Sequence, residues 1–173
     1  MPAGFFEPDL YVKDVFCVPY GRLKKNRVTA LFFDIDNTLK PHYAKEPPKK
    51  TRALFERLQS EGFDICLVSN APSERALPVA RALGVQMVHS AKKPLLFGLN
   101  KARETLGLPR KTRAAIIGDQ LFTDILAGKR ARLYTVLVRP VSEKESFFIK
   151  IRRPAERFLL GARKRPLARA ALL

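Results

Sequence analysis

At 173 residues the chain has the size of one domain with its own hydrophobic core, and no apolar stretch is long enough to span a bilayer. Residues 1–9 carry Glu7 and Asp9 and no apolar centre, which argues against a signal or transit peptide and sets the expectation of a soluble, cytoplasmic protein. A net charge of +17 predicts polyanions as neighbours, either anionic lipid or nucleic-acid phosphates.

Residues 1–27 read as an N-terminal extension packed on the core, with a short helix around residues 10–18. From residue 28 to residue 140, short β-branched or aromatic runs alternate with helical patterns. Strands are predicted at 28–33, 64–68, 85–89, 114–117 and 133–138. Helices are predicted at 51–60, at 73–83 with Pro78 as a kink and Gly84 as a stop, from Pro94 to Leu106, and at 122–127. Strands that are apolar throughout, with helices between them, imply a parallel sheet covered on both faces. Cys17 and Cys66 read as buried, reduced thiols rather than a disulfide or metal pair. Residues 141–173 form a basic amphipathic segment, with Phe147, Phe148, Ile151, Phe158 and Leu159 at helical spacing among arginines and lysines.

In an open parallel sheet, ligands bind beyond the carboxyl ends of the strands. Four polar clusters fall at such ends: Asp34-Ile35-Asp36-Asn37-Thr38, Ser69-Asn70, Lys93-Pro94, and Gly118-Asp119 through Asp124. Folding would bring these acids, a hydroxyl and an ammonium to one rim, and each suits phosphoryl transfer. A carboxylate can attack phosphorus and split one hard displacement into two easier ones. Hard oxygen ligands such as Asp34 and Asp119 suit Mg²⁺, which neutralises a phosphate dianion. Ser69 and nearby N–H groups suit phosphate oxygens, and Ser69 and Asn70 equally suit the capping of the next helix. Lys93 supplies a fixed positive charge. Asp36, two residues past the nucleophile, can exchange a proton with the leaving oxygen and then with water. Thr38 reads as structural, fixing the turn after Asp36. His42 reads as a loop residue in a segment overhanging the site, and His89 as a packing residue. Gln120 and Thr123 either orient the acids or cap a helix.

This ordered set resembles the haloacid dehalogenase superfamily of phosphatases, whose four motifs are matched in sequence order. The runs Phe33-Asp34-Ile35-Asp36-Asn37-Thr38-Leu39 and Gly118-Asp119-Gln120-Leu121-Phe122-Thr123-Asp124, the strand Tyr134-Thr135-Val136-Leu137-Val138 and the Phe-rich basic tail look like subfamily IIIA members of the YqeG type, relatives of which resemble phosphatidylglycerophosphate phosphatases. The resemblance implies an α/β, Rossmannoid three-layer αβα sandwich with a mainly parallel sheet. It also implies Asp34 as nucleophile, Asp36 as acid and base, Lys93 as the catalytic lysine, and Ser69, Asn70 and Lys93 around the substrate phosphate. Mg²⁺ would be held by Asp34, the Asp36 main chain and Asp119. Two alternatives stay open: Lys92 competes with Lys93, which adjacency to Pro94 favours, and Asp124 is either a direct ligand or a supporting acid. Residues 39–68 and 71–92 leave no room for an inserted cap domain. An uncapped site predicts a bulky phosphorylated substrate (a lipid headgroup, a polynucleotide or a protein) or closure by another subunit, a lipid headgroup being favoured over a polynucleotide end. The basic tail is then expected to pack its aromatics on the domain and attract an anionic membrane surface. The rivals are a polynucleotide-end phosphatase, marked by salt-sensitive RNA or DNA binding, and a ribosome- or RNA-associated binding protein with a vestigial site, against which the intact acid set argues.

Overall fold

The computed structural model describes residues 6–142. A six-stranded sheet runs in the order β1-β6-β5-β2-β3-β4, formed by β1 (Leu10–Val12), β2 (Val28–Phe33), β3 (Asp64–Val68), β4 (Gln86–Val88), β5 (Arg113–Gly118) and β6 (Tyr134–Val138). Every neighbouring pair is parallel.

Alternation along the central strands divides the core in two. Leu31, Phe33, Ile65, Leu67, Ala115 and Ile117 face one apolar layer. Ala30, Phe32, Cys66, Val68, Ala114 and Ile116 face the other. The first layer is closed by α1 (Tyr20–Lys25), α2 (Lys49–Ser60) and α3 (Ser73–Leu83) through Tyr20, Leu23, Leu54, Phe55, Leu58, Val79 and Leu83. The second is closed by α4 (Phe97–Thr105) and α5 (Leu126–Arg130) through Leu99, Ala102 and Ala127. Strands buried on both faces cannot alternate apolar with polar residues, which is why they read as continuous apolar runs. The result is the expected three-layer α/β sandwich, and among the described residues 39–68 and 71–92 each hold one helix and one strand with no cap.

Several expectations are corrected. The helix expected around residues 10–18 is instead β1 followed by a single 3-10 turn, Val15–Cys17. Asp9 decides this: its carboxylate accepts from the Thr135 amide at 2.8 Å, the Thr135 hydroxyl at 2.8 Å and Lys129 Nζ at 2.6 Å, so residues 10–12 are pinned beside β6. The extended backbone of Asp14 then starts the short turn, its carboxylate accepting from the Phe16 and Cys17 amides. Part of the N-terminal extension is therefore an edge of the sheet. Cys17 is exposed at the end of that turn, not buried. Cys66 is buried, and burial pushes its thiol up to about 12, an inert state. His89, expected to pack, is exposed and contacts Ser90 Oγ at 3.3 Å. Helix α3 runs through Pro78 and stops at Gly84, whose φ of +64° suits a residue without a Cβ. Helix α4 begins at Phe97, three residues later than Pro94. The basic tail lies outside the described residues. No helix among the described residues is long and apolar enough to cross a membrane.

Candidate active site

Asp34 follows the last residue of β2, its amide donating to the Ile117 carbonyl at 2.9 Å and continuing the β2–β5 pairing. The next residues curl into one turn in which the Ile35 carbonyl accepts from the Thr38, Leu39 and Lys40 amides. The curl needs a left-handed residue at Asn37, φ +61°, a conformation that asparagine tolerates better than most. Beyond β5, the chain makes a π-helical turn, Leu121–Ile125, ahead of α5. That wide turn carries Asp124 back toward β5, where its carboxylate accepts from the Gln120 amide at 3.1 Å. A Cβ on Gly118 would overlap the Asp124 carboxylate, so only glycine permits this approach.

Three carboxylates from these two segments meet. Asp34, Asp119 and Asp124 are all buried and present oxygens within 4.8 Å of one another. Lys93 reaches them from beyond β4: its Nζ donates to Asp34 Oδ1 at 2.7 Å and to Asp124 Oδ1 at 2.6 Å. Of the two lysines weighed from the sequence, Lys93 is the one that bonds the acids, while Lys92 lies over the Phe97 ring, 5.5 Å from its centroid. The Thr38 hydroxyl stands 3.4 Å from Asp34 Oδ2 and 3.3 Å from Asp119 Oδ1, so it bridges the two motifs as well as forming the turn.

Burial, the largest influence, drives the Asp34 carboxyl up to about 7; Lys93 opposes the shift, while Asp124 and Asp36 add to it. Burial alone would lower Lys93, yet the charges of Asp124 and Asp34 together outweigh it and hold the ammonium protonated. With all three acids ionised, three carboxylates against one ammonium leave a surplus of two negative charges in a buried pocket. Hard oxygen donors with that surplus fit a divalent metal ion, which would bring the pocket to neutrality. Gly118→Ala is therefore expected to displace Asp124 and weaken metal binding by about 10- to 100-fold, read by calorimetric titration.

The remaining predicted residues take other positions. Ser69 directly follows β3, and its Oγ accepts from the Ala71 amide at 3.1 Å, which leaves its proton for an incoming oxygen. Asn70, expected at the substrate phosphate, has its amide committed to the Lys93 main chain. Its Oδ1 accepts from the Lys93 amide at 2.8 Å and its Nδ2 donates to the Lys93 carbonyl at 3.0 Å. It positions the lysine. The Asp36 carboxylate turns away from the acid cluster and meets Lys40 Nζ at 3.1 Å, Arg75 Nη2 at 2.5 Å and His42 Nδ1 at 3.6 Å. Gln120 orients Asp124 with its main chain, and Thr123 Oγ1 donates to Gln120 Oε1 at 3.3 Å. Sequence reasoning missed Arg75, Lys40 and the bridging role of Thr38. Arg75 lies 39 positions from Asp36 with no local signal; Lys40, four residues after Asp36, was the one with a readable spacing.

A family model for the haloacid dehalogenase-like hydrolases matches residues 42–132. The Bacillus subtilis protein named "Probable phosphatase YqeG" is 34% identical over 165 residues, spanning 95% of each chain. "Phosphatidylglycerophosphate phosphatase 1, chloroplastic/mitochondrial" of Arabidopsis thaliana is 30% identical over 155 residues, 84% of this chain but 44% of that protein. The chain thus spans less than half the length of the plant relative. A solved structure of a hypothetical protein from Xanthomonas campestris superposes with a TM-score of 0.53 at 16% identity, covering 82% of this chain and 79% of that one. It shares the fold.

Proposed function

The chain belongs to the haloacid dehalogenase-like hydrolase family and is a phosphatase of it, and on that premise we propose a Mg²⁺-dependent phosphomonoesterase that works through an aspartyl-phosphate on Asp34. The observation that carries the reading is the buried set of Asp34, Asp119 and Asp124 around the Lys93 ammonium. Bound by Asp34, Asp119 and Asp124, with the Asp36 main chain as a further ligand, Mg²⁺ would supply positive charge to the phosphate oxygens.

Asp34 attacks phosphorus, the P–O bond to the leaving group breaks, and Asp36 hands that oxygen a proton. Asp36 then takes a proton from water as the water oxygen attacks the acyl phosphate, releasing phosphate and free Asp34. Lys93 holds the negative charge that gathers on the reacting oxygens. The Ser69 hydroxyl donates to a phosphate oxygen, and Asn70 keeps Lys93 aimed into the pocket.

The substrate reading is a membrane phospholipid phosphate, phosphatidylglycerophosphate above all. The name of the plant relative, the uncapped site and the charge of +17 support it. The same charge favours a peripheral position on an anionic bilayer. In an assay of purified chain, phosphatidylglycerophosphate in anionic vesicles is expected to exceed soluble phosphate esters in kcat/KM. Chelation should stop turnover and Mg²⁺ restore it. A clear preference for soluble esters would reject the lipid assignment, and a preference for terminal phosphates on RNA or DNA would replace it.

A further inference from the structure

We propose that Arg75, with His42 beside it, receives a second anionic group on the substrate, so that the site selects phosphomonoesters whose leaving group carries a further phosphate. The inference rests on the reading of Asp36 as the acid that meets the leaving oxygen, since that places Arg75 on the leaving-group side.

The charge count around Asp36 is uneven. Lys40 is 3% exposed and bonds Asp36 Oδ1, so the part-buried carboxylate already has one buried ammonium. The guanidinium of Arg75 is a second positive charge on the same carboxylate. The adjacent acid on α3, Glu74, accepts from Ser73 Oγ at 3.0 Å and makes no ion pair with Arg75. The Arg75 side chain is 42% exposed, against 15% for Asp36, so it forms the outer wall of this corner.

The guanidinium is also only partly used. Nη2 donates to Asp36 Oδ2 and contacts His42 Nδ1 at 3.2 Å. Nε and Nη1 make no hydrogen bond to any described residue. Nη2 is therefore anchored, while an Nε–H and an Nη1–H on either side of it remain as donors for an incoming anion. An arginine that served only to hold Asp36 would have no need to stand part-exposed with these donors unused. The shared chemistry is a phosphate carried on the leaving group, whether the phosphodiester of a lipid headgroup or a soluble second phosphate.

Two matched pairs test it on the full chain with Mg²⁺. Glycerol 1,3-bisphosphate is compared with glycerol 3-phosphate. Short-chain phosphatidylglycerophosphate, below its micelle concentration, is compared with p-nitrophenyl phosphate. The bisphosphate is expected to exceed glycerol 3-phosphate in kcat/KM by about 10- to 100-fold, mostly in KM, the scale of a hydrogen bond to a charged group. Arg75→Met should bring the ratio to near one, and Arg75→Lys should keep part of it. If only the lipid pair shows an Arg75-dependent preference, the receptor reads a headgroup phosphodiester. If both pairs do, it reads any second phosphate. A wild-type ratio near one in both pairs, or a ratio unchanged by Arg75→Met while all rates fall together, overturns the proposal and leaves Arg75 as a positioning residue for Asp36. Calorimetry on the Asp34→Asn chain makes the result independent of turnover: adding Arg75→Met should weaken the bisphosphate by about tenfold more than glycerol 3-phosphate, and equal weakening overturns the proposal. Loss of the phosphatase reading has its own mark, p-nitrophenyl phosphate turnover that survives Asp34→Asn.

Discussion

Asp34→Asn is expected to reduce hydrolysis of an aryl phosphate by on the order of 10⁴-fold or more, since an amide cannot form the acyl phosphate. The same variant should change the pH dependence of folding in metal-free chelating buffer. In the folded chain burial raises the Asp34 carboxyl to about 7 from 3.8. Between those values the native state binds more protons than the unfolded one, so the stability Asp34 contributes is present at low pH and is lost as pH rises toward 7. Wild-type Tm should therefore fall between about pH 4 and about pH 7, and Asp34→Asn should flatten that fall. Retained turnover would reject the covalent mechanism. A pH slope unaffected by the substitution would show that the carboxyl is not held in its raised state.

Lys93→Met has the second large effect. It strips the ammonium from two buried carboxylates at 2.6 Å and 2.7 Å and leaves three acids facing one another. Removing one partner of a buried pair costs about 3–5 kcal/mol, to be measured by denaturant unfolding in chelating buffer. Mg²⁺ should recover part of that loss by supplying the missing positive charge, while kcat stays down by about 10²- to 10³-fold. A variant as stable as wild type without metal would mean that the carboxylates are neutralised some other way.

Several features were readable because they depend on neighbours in the chain. Runs such as Leu31-Phe32-Phe33 and Ile65-Cys66-Leu67-Val68 announce strands covered on both sides. Gly84 marks the end of α3, since a left-handed φ is cheapest without a Cβ. The ordered acids, hydroxyl and lysine at strand ends identify the chemistry, because a parallel sheet must bring those ends to one edge. Local pattern failed at residues 10–18, where Thr135 and Lys129 draw Asp9 against β6 and impose a strand on a segment that also suits a helix.

The kind of site and the acids that meet in it were thus written in local order and spacing. Only the folded chain decided which lysine enters the pocket, that Asn70 braces that lysine, and that Arg75 closes on Asp36. These are contacts between residues 23 to 59 positions apart. Spacing along a strand or helix sets which residues share a face. Which side chain meets which across two elements depends on how those elements pack, and no local pattern carries that information.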